Sequence, residues 1–255
     1  MFAKAFLFAL AASSLVAAHG KIAVMTGDAG GNTTGLGIRG AIVPGSGANQ
    51  KTEVDTTVFN SKKAASDGLG KTTTGANTLR GMAAVMAQSG FTFPQVSDGG
   101  SISGTIHIVT TDGAGPYTAI CDPTGTGSFS SGTHMTVTQQ VPGTRGNIAA
   151  PKQRRFIPRM LIKMGIKMGI VKRASNVNED YPFAATMPVG MSCTGIVAGQ
   201  TGVCLVKIVN PSAAGPFGGV VAVQMAREAS AADDNTSTVK ACPKAGRMVS
   251  AKFRM

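Results

Sequence analysis

Tryptophan is absent from this 255-residue chain and tyrosine occurs only twice. The flat aromatic surfaces on which crystalline glycans or nucleobases stack are therefore missing. Carboxylates are scarce too: 12 Asp and Glu stand against 24 Lys and Arg, and none lies between Asp122 and Glu179. No spacing joins two of them as a general acid and base, so a glycosidase is not supported. Asp28, Asp98, Asp112 and Asp122 sit in glycine-rich turns, where Asp is common for backbone reasons. No Gly-x-Ser-x-Gly stands between a strand and a helix, since Gly45-Ser46-Gly47 lies in loop sequence, and no glycine cluster ends in the Lys-Ser/Thr of a phosphate loop. Beyond the N-terminus, no apolar stretch reaches membrane-spanning length without a charge or a Gly/Pro break, which argues against a membrane anchor.

The net charge of +12 is concentrated. Eight basic residues lie between Lys152 and Arg173 with no acid among them, around the tandem Lys163-Met-Gly-Ile and Lys167-Met-Gly-Ile. Without that segment the chain is close to balanced. With no nucleic-acid-binding module in sight, a local basic loop describes it better than a nucleic-acid surface.

The N-terminus reads as a secretory signal. A single positive charge at Lys4 precedes the apolar run from Ala5, and Ser13 to Ala18 supplies small residues. Val16 and Ala18 fit the −3 and −1 positions, which puts the cut before His19. In an oxidising compartment four cysteines read as two disulfides. Cys193 and Cys204 flank three glycines that can close a hairpin, which pairs them first and leaves Cys121 with Cys242. Asn32-Thr-Thr and Asn235-Thr-Ser are acceptor sites for N-glycosylation, as expected of a secreted glycoprotein.

With 34 Gly, 12 Pro and a mean hydropathy of +0.14, the chain has apolar content for a core and many turns. Strands are expected over 22–26, 40–43, 101–111, 117–121, 135–141, 182–187, 202–209 and 219–223, with 44–75 as long loop. The run 101–111 and its neighbour 117–121 read as a hairpin around Asp112-Gly-Ala-Gly-Pro116. One helix is expected over Asn77–Gln88, with Asn77 as its cap, Leu79, Met82, Val85 and Met86 as its apolar face and Gly90 as its stop. The fold class is all-β: a sandwich of the immunoglobulin, fibronectin or lytic-monooxygenase kind, with long loops and one short helix. The expected organisation is a signal peptide at 1–18, a sandwich domain over 19–225 with a basic loop insertion at 151–173, and a polar C-terminal tail over 226–255.

Several segments carry a resemblance: His19-Gly20, Asp112-Gly-Ala-Gly-Pro-Tyr117, Val141-Pro-Gly143, Met187-Pro188 followed by Cys193, and Ala214-Gly-Pro-Phe-Gly-Gly-Val-Val-Ala-Val-Gln224. Together they resemble the fungal appressorium-specific virulence-factor family of Gas/Mas type, related to a powdery-mildew infection protein. The resemblance covers roughly 19–225 and implies a secreted protein of infection structures, used in penetrating the host surface, with no settled enzymatic activity. The basic segment departs from the pattern.

A histidine at a mature N-terminus offers its α-amino group and a ring nitrogen to one metal ion. Lytic polysaccharide monooxygenases hold copper this way with a second histidine, and Cu(II) favours such tetragonal nitrogen sets. Here His107 is the preferred second ligand, on a strand leading into the Gly-Pro-Tyr turn, with His134 the weaker choice and Phe217 the apolar axial neighbour. Copper is the one cofactor expected, and no catalytic residue is assigned. Three functions follow: a virulence factor binding a host or fungal cell-wall polymer, a copper-dependent oxidase on such polymers, or a wall-packing protein held through its basic loop.

Overall fold

The computed structural model describes residues 20–39, 55–149 and 176–226. The signal peptide expected at 1–18, His19, the strand expected at 40–43, the loop insertion expected at 151–173, and the tail beyond residue 226 with Asn235 and Cys242 lie outside them.

The described residues form fourteen strands and one α-helix. In order these are β1 (Gly20–Gly27), β2 (Gly30–Thr33), β3 (Thr57–Val58), β4 (Lys71–Thr72), β5 (Gly75–Ala76), α1 (Gly81–Gln88), β6 (Gln95–Val96), β7 (Ser101–Thr110), β8 (Thr118–Asp122), β9 (Thr133–His134), β10 (Thr136–Gln139), β11 (Asn176–Thr186), β12 (Gly195–Val197), β13 (Gln200–Val209) and β14 (Phe217–Met225). The main path through the sheet is β10-β11-β7-β1-β14-β13-β8-β9. Its two ends are halves of one segment. β9 pairs with β8 and β10 pairs with β11, and the buried Met135 between them donates its N–H to the Ala119 carbonyl at 3.0 Å. At the other seam β1 meets β14 at a single parallel pair, Lys21 with Gly218. The sheet thus divides into two layers, joined at one side by a strand that changes layer, as sandwich corners are. The all-β sandwich with one short helix is the architecture of the protein.

Alternation along the strands creates two cores. Between the layers, Ile106 and Ile108 of β7 and Phe183 and Ala185 of β11 pack with Cys121, Val206, Ile208 and Val221 from the opposite layer. The Tyr117 and Phe183 rings meet edge-on with centroids 6.4 Å apart. A second core covers the outer face of β8, β13 and β14, where Leu205, Val209 and Val220 lie under Leu36, Phe59, Met82, Val85, Phe93 and Phe129. Strands buried on both faces read as unbroken apolar runs, and 203–209 is one, interrupted only by Lys207.

Two sequence expectations are corrected. β7 and β8 do not form a hairpin: β7 pairs with β1 and β11, while β8 pairs with β13 and β9. The Asp112–Pro116 turn carries the chain from one layer to the other instead. The helix begins at Gly81 after Arg80, with no side-chain cap. The Asn77 amide donates to the carbonyls of Leu36 (3.3 Å) and Leu69 (3.1 Å), so it ties two loops together instead of capping a helix.

The cysteines Cys193 and Cys204 form a disulfide with Cα atoms 4.9 Å apart, closing the β12–β13 hairpin. Its two-residue turn has Ala198 and Gly199 both at positive φ, the geometry that suits strand twist. Cys121 is buried, and Cys242, its expected partner, is outside the described residues.

Gly104 shows how tightly β1 and β7 are joined. A Cβ there would stand 2.0 Å from the Val24 carbonyl oxygen, beside the bulge between Ile22 and Val24. Gly104→Ala is expected to destabilise by about 2 kcal/mol or more, read as a lower urea midpoint with unchanged slope. An unchanged midpoint would mean the bulge yields freely.

Candidate functional site

Four segments that carry the sequence resemblance meet at one end of the sandwich. The organiser is Asn210, fully buried at the end of β13. Its amide nitrogen donates to the Ala114 carbonyl at 2.8 Å and the Asp112 carbonyl at 3.4 Å, while its oxygen accepts from the N–H of Phe217 at 2.8 Å and Ser212 at 3.3 Å. One side chain thereby joins the layer-crossing turn to the Ala214–Gly219 loop. Residues 141–143 close on the same turn, Gly115 donating to the Pro142 carbonyl at 3.0 Å. Gly20 completes the cluster, since a Cβ there would collide with the Tyr117 hydroxyl and the Gly113 carbonyl. Met187-Pro188 lies apart, at the opposite end of β7, where Met187 donates to Gly100.

Beside this cluster a polar row crosses the outer face of three strands. The register sets Lys21 of β1 and Asp180 of β11 on either side of His107 in β7. His107 Nδ1 and Asp180 Oδ1 are 2.7 Å apart; the imidazole side chain is 6% exposed and the carboxylate 62%, so water reaches the pair from the Asp180 side. Lys21, also buried, points its ammonium at Asp55 Oδ1 at 3.3 Å, and Asp55 Oδ2 accepts the Arg39 N–H at 2.6 Å.

The other residues singled out by sequence are placed as follows. Phe217 is buried at the start of β14, paired with Val58 and one residue before Gly218, which pairs with Lys21. His107 and Phe217 therefore occupy the two strands that flank the beginning of β1. His134 is exposed on β9, at the far end of the sheet path. Asn32 is exposed on β2. Among the described residues no three His, Cys, Asp or Glu side chains gather as a metal-binding group. Three of the turn aspartates hold backbone: Asp28 accepts from the N–H groups of Ser97 and Ser101, Asp98 from that of Gly190, and Asp122 from those of Thr124, Thr126, Gly127 and Ser128 as well as from the Thr124 hydroxyl, while Asp112 accepts from the Thr110 hydroxyl. Burial works against charge on Asp122, but those hydrogen bonds outweigh it and hold its carboxyl below the usual range.

Sequence reasoning missed Lys207. It sits mid-β13 with no exposed surface, its ammonium 4.5 Å from the centre of the Phe59 ring and 5.3 Å from that of Phe129. It donates to the Ser66 carbonyl at 2.7 Å and hydroxyl at 3.1 Å. The available signal was a lone lysine inside Val203-Cys-Leu-Val-Lys-Ile-Val209. Burial pulls its pKa down to about 8, with Asp67 acting in the opposite direction. Because the folded value lies below that of a free lysine, the unfolded chain binds more protons between about pH 8 and the free-lysine value. The cost of burying this charge is thus full below pH 8 and relieved above it. Relative to Lys207→Met, the wild-type protein is expected to gain stability as pH rises from 8 toward 10, in paired urea titrations. Parallel pH curves for the two proteins would refute a buried ammonium.

Comparison with known proteins places these features in context. The profile of a family described as Egh16-like virulence factors matches residues 17–218. The appressoria-specific virulence factor GAS1 of Pyricularia oryzae is 36% identical over 217 residues, which cover 84% of this chain and 75% of that protein. The appressoria-specific virulence factor GAS2 of the same fungus is 32% identical over 150 residues, 58% of this chain and 42% of its own length. No solved structure matches.

Proposed function

The chain belongs to the Egh16-like virulence factor family, and on that premise we propose that it is a secreted virulence factor of appressoria that binds a wall or cuticle component during penetration of the host surface. The observation that carries this reading is its 36% identity to an appressoria-specific virulence factor over 84% of its length. The signal-like N-terminus, the disulfide and a sandwich whose loops gather at one end support a secreted binding module. Expression in a Pyricularia oryzae strain lacking GAS1 is expected to restore penetration, and the secreted protein is expected to sediment with plant or fungal wall material. Secreted protein that neither restores penetration nor sediments with any wall or cuticle preparation would overturn the reading.

The His107–Asp180 pair favours a second reading, a copper site. A ligating imidazole commonly gives its other ring nitrogen to a carboxylate, which fixes its orientation, and Asp180 stands at that position 2.7 Å from Nδ1. His107 lies opposite Lys21 at the beginning of β1, two residues after His19 in sequence. His19, through its amino group and ring, and His107, through its second ring nitrogen, would hold the ion, with Phe217 on the strand flanking β1 from the other side; copper there would supply oxidative chemistry on a polymer. Protein processed to begin at His19 is expected to bind one Cu(II). Asp180→Asn should weaken binding by roughly 10- to 100-fold and His107→Ala by more, whereas His134→Ala should change little. One extra residue before His19 should abolish tight binding. Affinity indifferent to Asp180→Asn, His107→Ala and the added residue would exclude the site.

A further inference from the structure

Above Lys207 lies a cavity of about 390 Å³ walled by Phe59, Asn60, Ser61, Asp67 and Lys71. The buried ammonium has three protons, of which two have acceptors in Ser66. The neighbouring carboxylate is turned elsewhere: Asp67 accepts from the Ser130 N–H at 2.7 Å and from its hydroxyl at 3.1 Å. Two phenyl rings exclude water from the cation, so its field reaches the cavity with less screening than that of a surface lysine. Lys71 of β4 is exposed and adds a second positive charge to the wall, while Asn60 and Ser61 contribute amide and hydroxyl groups.

Fastening the 59–70 loop does not by itself call for this arrangement. Asn77 already ties Leu69 to Leu36, and the Asp67–Ser130 bonds secure the loop's other side. A strand-centre ammonium is a costly fastener, since an apolar residue of similar volume is often at least as stable. What the lysine adds is positive potential at the floor of a polar hollow.

We propose that this cavity binds a hydroxyl-rich carboxylate, the chemistry of a uronic-acid unit in a wall polysaccharide, with Lys207 providing the positive floor and Lys71 the positive rim. The proposal deepens the wall-binding reading and rests on it. Calorimetric titration of the secreted protein with trigalacturonate tests it, beside an uncharged trisaccharide and acetate. Trigalacturonate should bind, and each of the other two should bind at least about ten-fold more weakly. Lys207→Met, which keeps the apolar packing between the rings, should weaken trigalacturonate roughly ten-fold at unchanged circular dichroism. Lys71→Met, at an exposed position, should weaken it in the same direction and covers the case in which Lys207→Met fails to fold. Equal affinity for the uncharged sugar, or trigalacturonate binding unmoved in the folded variants, overturns the charge argument. Acetate binding as tightly as trigalacturonate overturns the sugar assignment. If the protein sediments with walls while trigalacturonate gives no heat, the cavity proposal falls and the wall-binding reading stands; if it does neither and also fails to restore penetration, both fall.

Discussion

Strand β13 is buried on both faces, and much of the architecture answers to that condition. Its inward residues Cys204, Val206 and Ile208 fill the space between the layers, and its outward residues Val203, Leu205 and Val209 need a separate cover. Among the described residues no second sheet supplies it. The cover is α1 together with loop segments around Leu36, Phe59, Phe93 and Phe129. Loops carry fewer apolar groups than strands and must satisfy their backbone by other means. Within residues 55–70 Lys207 donates to the Ser66 carbonyl, and Lys21 meets the Asp55 carboxylate at the other end.

That dependence explains how far the fold was legible in the sequence. Continuous apolar runs mark β13 and β14, and alternation marks β7, because burial on two faces or one writes itself into composition. The Cys193–Cys204 closure was readable for a similar reason: the glycines between them promise a reversal, and Ala198-Gly199 makes it. Pairing partners were not readable in the same way. The stretches 101–111 and 117–121 look like hairpin arms, yet the turn between them crosses layers, and what directs it there is the side chain of Asn210, almost a hundred residues on. Asn77 misled for a related reason: its local sequence suits a cap, but distant carbonyls at Leu36 and Leu69 claim its amide.

The candidate site was partly legible. His107 stood out as one of three histidines and takes its place in a polar row, but nothing in the sequence names Asp180 as its neighbour, because that depends on the β7–β11 register. Lys207 was the opposite case. Its signal is local, a single charge in a seven-residue apolar run whose composition otherwise speaks only of strand. A charge at such a position has to be solvated by the fold itself, and here two rings and one serine do so.

Several segments that carry the family resemblance sit where the scaffold leaves no room for a larger side chain. Gly115 leaves no room for a Cβ against the Val141 carbonyl, and Gly218 none against that of Ile208, with distances of 2.0 and 1.9 Å. Substitution at either would push one backbone away from another, so these motifs report on how the layers are joined at the Asn210 end. The groups with chemical capacity lie elsewhere: Lys207 and Lys71 around the cavity, His107 and Asp180 on the outer face. Sharing a scaffold does not fix what a site on it recognises. A relative with the same glycine motifs but an apolar residue in place of Lys207 would keep the sandwich and lose the positive floor, so family membership and ligand chemistry have to be read from different residues of this chain.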